Sequence, residues 1–146
     1  MIQRNIQNSI RQAMADRDTL GGVFEVVALE VPPGLGSHVH WDRKLDSRLL
    51  AALGSIPAVK GAEVGPAFEN AGRRGTKVHD EILVEAGRLL RPTNRAGGLE
   101  GGVTTGEPIV LRVAMKPIST TLNPLMSVDL ATGAAAPTRY ERSDFS

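Results

Sequence analysis

The chain has 146 residues, 17 Lys plus Arg against 16 Asp plus Glu, and no cysteine. That length suits one domain with a modest core. A formal charge of +1 leaves no surplus of cations for general nucleic-acid binding, and the lack of cysteine rules out disulfides and thiolate metal sites. The longest apolar runs fall far short of the roughly 20 residues that cross a bilayer. The opening MIQRNIQNSIRQ has no apolar h-region. The expectation is a soluble cytoplasmic protein that binds neither nucleic acid nor membrane. Aromatic residues make up only 3 % of the chain, so the core must be aliphatic, and Gly at 16 and Pro at 9 predict many turns.

In chain order, Ile2, Ile6, Ile10, Ala13 and Met14 recur at helical spacing. They predict an amphipathic helix over Ile2–Ala15, ended by Thr19-Leu20-Gly21-Gly22. Val23–Val31 is β-branched and apolar, and predicts a strand broken by Pro32-Pro33-Gly34. In Ser37–Arg43 (SHVHWDR), His38 and His40 stand two apart and would share a face on a strand. No third ligand lies near, so the residues favour a polar loop anchored by Trp41 over a metal pair. Leu45, Leu49, Leu50 and Leu53 mark one face of a helix over about Asp42–Leu53, stopped by Gly54. Ile56–Val64 predicts a second strand, with Pro57-Ala58 at its start or edge and Lys60 and Glu63 either solvated or facing a ligand. Phe68–Ile82 is polar and lacks a steady period, which predicts a loop. Its Arg73-Arg74 pair is either solvated or part of a flap over an anionic site. His79-Asp80 has the composition of a carboxylate-oriented histidine, but adjacent side chains on an extended chain point apart.

Asn94–Gly106 is a glycine-rich loop, with Gly97, Gly98, Gly101, Gly102 and Gly106. Bare backbone there allows positive φ and close approach of a ligand to main-chain N–H groups. Ile109–Met115 then alternates: Ile109, Leu111, Val113 and Met115 on one face, Val110, Arg112 and Ala114 on the other. Lys116-Pro117-Ile118-Ser119-Thr120 follows at the strand's end, with a cation and two hydroxyls suited to a phosphate or a flavin's polar edge. Met126–Leu130 predicts a short strand and Thr132–Pro137 a small-residue turn. Helices and strands in this order, with a β-rich C-terminal half, predict an α+β fold of antiparallel sheet packed with helices.

Four segments resemble signatures of the chorismate synthase family, in that family's order and at about its spacing. They are Gly34–Leu49 (GLGSHVHWDRKLDSRL), Ser55–Val64 (SIPAVKGAEV), Arg91–Thr120 (with TNRAGGLEGG, GEP and KPIST) and the start of an RSD motif at Arg142-Ser143-Asp144. The resemblance runs from about Asp18 to Asp144 and covers the middle of a family more than twice as long. It implies that residues 1–146 are a single partial domain, the central portion of the family's β-α-β sandwich. It also implies the family's reaction, an anti-1,4-elimination of phosphate from 5-enolpyruvylshikimate 3-phosphate to give chorismate. That reaction uses reduced FMN without net redox change, and some members reduce the flavin with NADPH. Members are cytoplasmic homotetramers of aromatic amino-acid biosynthesis.

Carried over residue by residue, the resemblance places flavin contacts on Pro57, Ala58, Gly101, Lys116, Pro117, Ile118, Ser119, Thr120 and Arg142. Arg142 also lies where flavin and substrate meet. The family's catalytic histidines have no counterpart here, nor do its N-terminal arginines and serine-rich flavin segment. Thr105 replaces the usual asparagine before Gly106, and Pro66-Ala67 the common Asp-Gly. The expectation is a fragment or truncated gene product, inactive alone. Its rivals are a non-catalytic flavin- or phosphate-binding remnant or assembly module, and a plain α+β domain with no ligand.

Overall fold

The computed structural model describes residues 2–140. Among them the chain forms two compact units, one spanning Val23–Met115 and the other joining the residues before Val23 to those after Met115.

The Val23–Met115 unit is built on a three-stranded sheet, order β1-β7-β2, with β1 at Gly22–Ala28, β2 at Val59–Val64 and β7 at Ile109–Met115. β2 and β7 run antiparallel, with Val64 opposite Leu111, Glu63 opposite Arg112 and Ala62 opposite Val113. The alternation expected for β7 is present: Ile109, Leu111 and Val113 are buried, while Arg112 and Ala114 are exposed. Val113 is fully buried. Met115, expected on that buried face, is exposed.

The helix α2, Leu45–Gly54, packs on this sheet. Its Leu45, Leu49 and Leu53 recur every fourth residue, so they form one stripe. They pack with Val31 and Val64 against buried Leu99, Ile109 and Leu111. The core is aliphatic, as the composition requires. α2 starts later than expected, at Leu45, because residues 41–43 form a turn in which Arg43 and Lys44 donate backbone N–H groups to the His40 carbonyl.

Three corrections concern elements. Ile56–Pro57-Ala58 is a turn outside β2, since Ala58 sits at φ 68, a left-handed value that a strand does not accommodate. The expected strand through Val31 stops at Ala28, ahead of Glu30 at φ 57. Phe68–Ile82 is structured: α3 covers Ala67–Ala71 and a 3-10 turn covers Gly75–Lys77. Leu83–Glu85 (β3) and Arg88–Leu90 (β4) make an exposed hairpin around Ala86 and Gly87, both at positive φ. Leu99–Glu100 (β5) and Val103–Thr104 (β6) make a second hairpin, on which Gly101-Gly102 is the turn.

In the other unit, α1 covers Ile2–Ala15 as expected. Its apolar residues Ile6, Ile10 and Met14 are exposed. Met126–Val128 (β8) pairs antiparallel with Ala135–Pro137 (β9). The second of these was expected to be turn. Its three residues find a ladder because Gly133, at φ 71, reverses the chain and donates its N–H to the Asp129 carbonyl.

Candidate functional site

The glycine loop is held by backbone packing. A Cβ on Gly97 would lie 2.4 Å from the Gly65 nitrogen, one on Gly98 2.5 Å from the Pro108 oxygen, and one on Gly102 2.7 Å from the Ser37 oxygen. Close approach is therefore real at these three positions, but the approaching group is the protein itself. Gly101 differs: it is exposed, at φ 59, and nothing lies within 4 Å of the place where its Cβ would be. Of the glycines in this loop, it is the one whose bare backbone faces open space at the hairpin tip.

Side chains complete the lock. Asn94 donates from its amide nitrogen to the Pro108 carbonyl and accepts from the Gly98 N–H, both at 2.8 Å. The Thr104 hydroxyl donates to the Pro32 carbonyl at 2.7 Å and accepts from the Leu35 N–H at 2.9 Å. The Leu45 N–H donates to the Gly102 carbonyl, so α2 begins on the hairpin turn. Arg91 grips Glu100 with both guanidinium nitrogens at 3.1 Å, a bidentate geometry that fixes orientation.

Asp80 has a role that its neighbour His79 does not share. Its carboxylate accepts from the Thr93 hydroxyl, from the Arg95 N–H at 2.8 Å and from the Ala96 N–H at 2.9 Å. Burial pushes its carboxyl up, but these three donors and the nearby Arg91 charge outweigh that, and the net shift is downward. Asp80 thus seats the start of the glycine loop, and His79 and Asp80 point to different partners, as expected of adjacent side chains. His79 instead lies against the 3-10 turn at Gly75.

Glu63, expected in solvent, is 9 % exposed. It lies opposite Arg112 in the β2–β7 ladder, bonds its Nη1 at 2.8 Å, and accepts the Phe68 N–H at 2.9 Å where α3 begins. Replacing Glu63 by alanine should cost about 2 kcal/mol in urea unfolding, the scale of lost charge-assisted hydrogen bonds. Arg112 is 45 % exposed, so it can turn to water, and the larger penalty of a stranded buried charge does not apply. Glu63→Gln, which keeps an acceptor for the Phe68 N–H, should cost less.

The remaining expected site residues lie as follows. Pro57 is exposed and Ala58 half-buried in the turn ahead of β2. In the other unit, Lys116, Pro117, Ile118 and Ser119 are exposed and Thr120 is half-buried. The Thr19 hydroxyl donates to the Ile118 carbonyl at 2.7 Å, and Asn123 donates to the Asp16 carbonyl at the end of α1. Thr120 lines a cavity of about 280 Å³ with Arg17, Thr19 and Tyr140. Arg142 and its RSD motif lie outside the described residues. His38 and His40 are exposed and outside any strand, and Trp41 is 80 % exposed, so it does not anchor its loop. Among the described residues, no group of three or more His, Cys, Asp or Glu side chains is placed to hold a metal.

Together these features define an α+β chain of antiparallel sheets whose glycine hairpin is pinned by side chains and leaves one bare tip at Gly101. Comparison with known proteins is specific. The sequence model of one family, chorismate synthase, matches residues 1–146. The chorismate synthase of Salinibacter ruber is 57 % identical over 147 residues, covering 99 % of this chain and 36 % of that protein. That of Saccharopolyspora erythraea is 58 % identical over 134 residues, 90 % of this chain and 33 % of that protein. A crystal structure of a chorismate synthase superposes with a TM-score of 0.76 at 52 % identity, over 80 % of this chain and 35 % of the other. The chain belongs to the chorismate synthase family. It spans about a third of the length of the curated relatives it matches.

Proposed function

We propose that this chain carries the central part of a chorismate synthase, whose whole acts as a lyase eliminating phosphate from 5-enolpyruvylshikimate 3-phosphate. The observation that supports this best is the family match over residues 1–146. Reduced FMN is the cofactor this reading implies; when bound, it would supply electron density for the elimination of phosphate.

Features of each unit, taken by itself, support such a ligand. Gly101 offers open space, where a side chain on the backbone would hinder a flat ring. The Ala58 turn stands at a left-handed φ, and the exposed Pro57 beside it offers an apolar surface. In the other unit, Lys116 contributes positive charge, and Ser119 and Thr120 contribute hydroxyls. Pro117 and the Thr19–Ile118 hydrogen bond restrict that segment. Arg142, by the family motif, adds a planar cation suited to carboxylate or phosphate. NADPH as the flavin's reductant, a homotetramer and a cytoplasmic location complete the reading. Among the described residues no helix is long and apolar enough to cross a membrane.

Titration of the purified chain with FMN, followed by flavin fluorescence anisotropy, tests this. Saturable binding is expected, weakened about tenfold in Lys116→Ala, the scale of one charge-assisted contact. A folded chain that leaves FMN anisotropy unchanged would refute the assignment of these residues. These 146 residues alone should yield no chorismate with substrate and reduced FMN, since the family's histidine motifs have no counterpart among them. Turnover at a family-like rate would overturn that part.

A further inference from the structure

Two separate stretches of the Val23–Met115 unit, residues 73–77 and Arg95, bring cations to one place. Arg73 ends the turn after α3, Arg74 and Lys77 flank the 3-10 turn, and Arg95 opens the glycine loop. Together they line a surface basin of about 370 Å³. Arg73 has an acidic partner, Glu69. Among the described residues no salt bridge involves Arg74, Lys77 or Arg95, which leaves the basin a surplus of positive charge.

The backbone under this cluster is fixed. The Arg95 N–H donates to Asp80 at 2.8 Å, and the Arg95 carbonyl accepts from the Asn70 amide at 2.9 Å. The Lys77 N–H donates to the Arg74 carbonyl at 2.8 Å. Like charges lining one basin repel one another, since salt screens charges fully only beyond about 8 Å. A bound anion relieves that repulsion.

We propose that this basin is a phosphate site, taking inorganic phosphate or a phosphomonoester dianion. One guanidinium satisfies a planar carboxylate, whereas a tetrahedral dianion presents several acceptor oxygens in different directions. Three guanidiniums and an ammonium from two stretches of the chain match that demand. Guanidiniums bind phosphate oxygens bidentately and lysine acts as a point charge. The assignment stands on these four cations alone, independently of the flavin contacts proposed above.

The probe is inorganic phosphate, titrated into the full chain and followed by 31P line broadening and calorimetry. Saturable binding is expected. The double variant Arg74→Gln with Lys77→Gln should weaken it about a hundredfold, about tenfold for each charge-assisted hydrogen bond removed. Both side chains are exposed, so the fold should survive, and circular dichroism checks that it does. Arg88→Gln, an exposed cation on β4, should change nothing. Competition then separates the sources. FMN that displaces phosphate, with riboflavin inert, assigns the basin to a coenzyme's phosphate. FMN that leaves phosphate bound assigns it to the free ion or to a substrate's phosphoryl group. Folded wild-type chain that does not bind phosphate saturably, or binds it as tightly after the double substitution, overturns the proposal.

Discussion

Gly97→Ala is expected to lower the stability of the Val23–Met115 unit by about 2–5 kcal/mol, while Gly101→Ala, four residues on in the same loop, should cost only about 1–2 kcal/mol. Both glycines have positive φ, 63 and 59 respectively, and an L side chain there costs about 1–2 kcal/mol. The difference lies in what a Cβ meets. At Gly97 it would press on Gly65 at 2.4 and 2.7 Å and on the Val64 carbonyl carbon at 3.0 Å. The backbone must shift, and such overpacking costs about 1–3 kcal/mol more. At Gly101 there is nothing to meet. Against a typical domain stability of about 5–15 kcal/mol, the first loss is severe and the second tolerable. Urea unfolding of both variants measures it, and equal losses would refute the packing account. Gly101→Ala then reports on binding: a variant that folds but loses FMN has lost ligand approach at the hairpin tip.

Asp80→Ala should cost about 2–4 kcal/mol and loosen the glycine loop. Two backbone N–H groups, of Arg95 and Ala96, and the Thr93 hydroxyl lose their acceptor. Unsatisfied donors that are out of reach of water cost about 1–3 kcal/mol each, but Asp80 is only half-buried and water will replace some of these bonds. The same residue predicts an acid effect. Its carboxyl is lowered from the ordinary 3.8, so its stabilisation is complete above the unfolded value and disappears as pH falls through the lower folded one. Wild-type stability should therefore drop more steeply below about pH 4 than that of Asp80→Ala. Parallel acid titrations of the two, followed by circular dichroism, check this, and identical slopes would remove Asp80 from the account.

Legibility in the sequence followed the range of the interactions. α1 and β7 were readable to the residue, because periodicity is local and each carries a clean one. The leucine stripe of α2 was readable too, though its start was obscured by residues 41–43, whose turn is set by backbone bonds to His40. Glu63 was misjudged because its partner Arg112 lies on another strand, and a single charged residue beside Lys60 looks solvated. The role of Asp80 was not legible for the same reason: its partners come from residues 93–96, further along the chain. Pro57-Ala58 was placed inside a strand because nothing in the pair announces a left-handed alanine. The β3–β4 hairpin was hidden by Ala86, which stands where a turn ordinarily uses asparagine or glycine. The family motifs marked Gly101 and Lys116–Thr120. They did not mark Arg73, Arg74 and Lys77, whose meeting with Arg95 depends on the path of the chain between α3 and the glycine loop.

The packing of Gly97 and Gly98 has a genetic consequence. A side chain deleted from a core can be compensated by a larger neighbour, and an oversized one by a smaller neighbour. Here the atoms opposite each missing Cβ are main-chain atoms: of Gly65 and Val64 for Gly97, and of Pro108 and Ile109 for Gly98. Every residue type carries those atoms, so no substitution at the facing positions can make room. Damage at these codons should revert only at the codon itself, and a search for intragenic suppressors among the facing residues should return none.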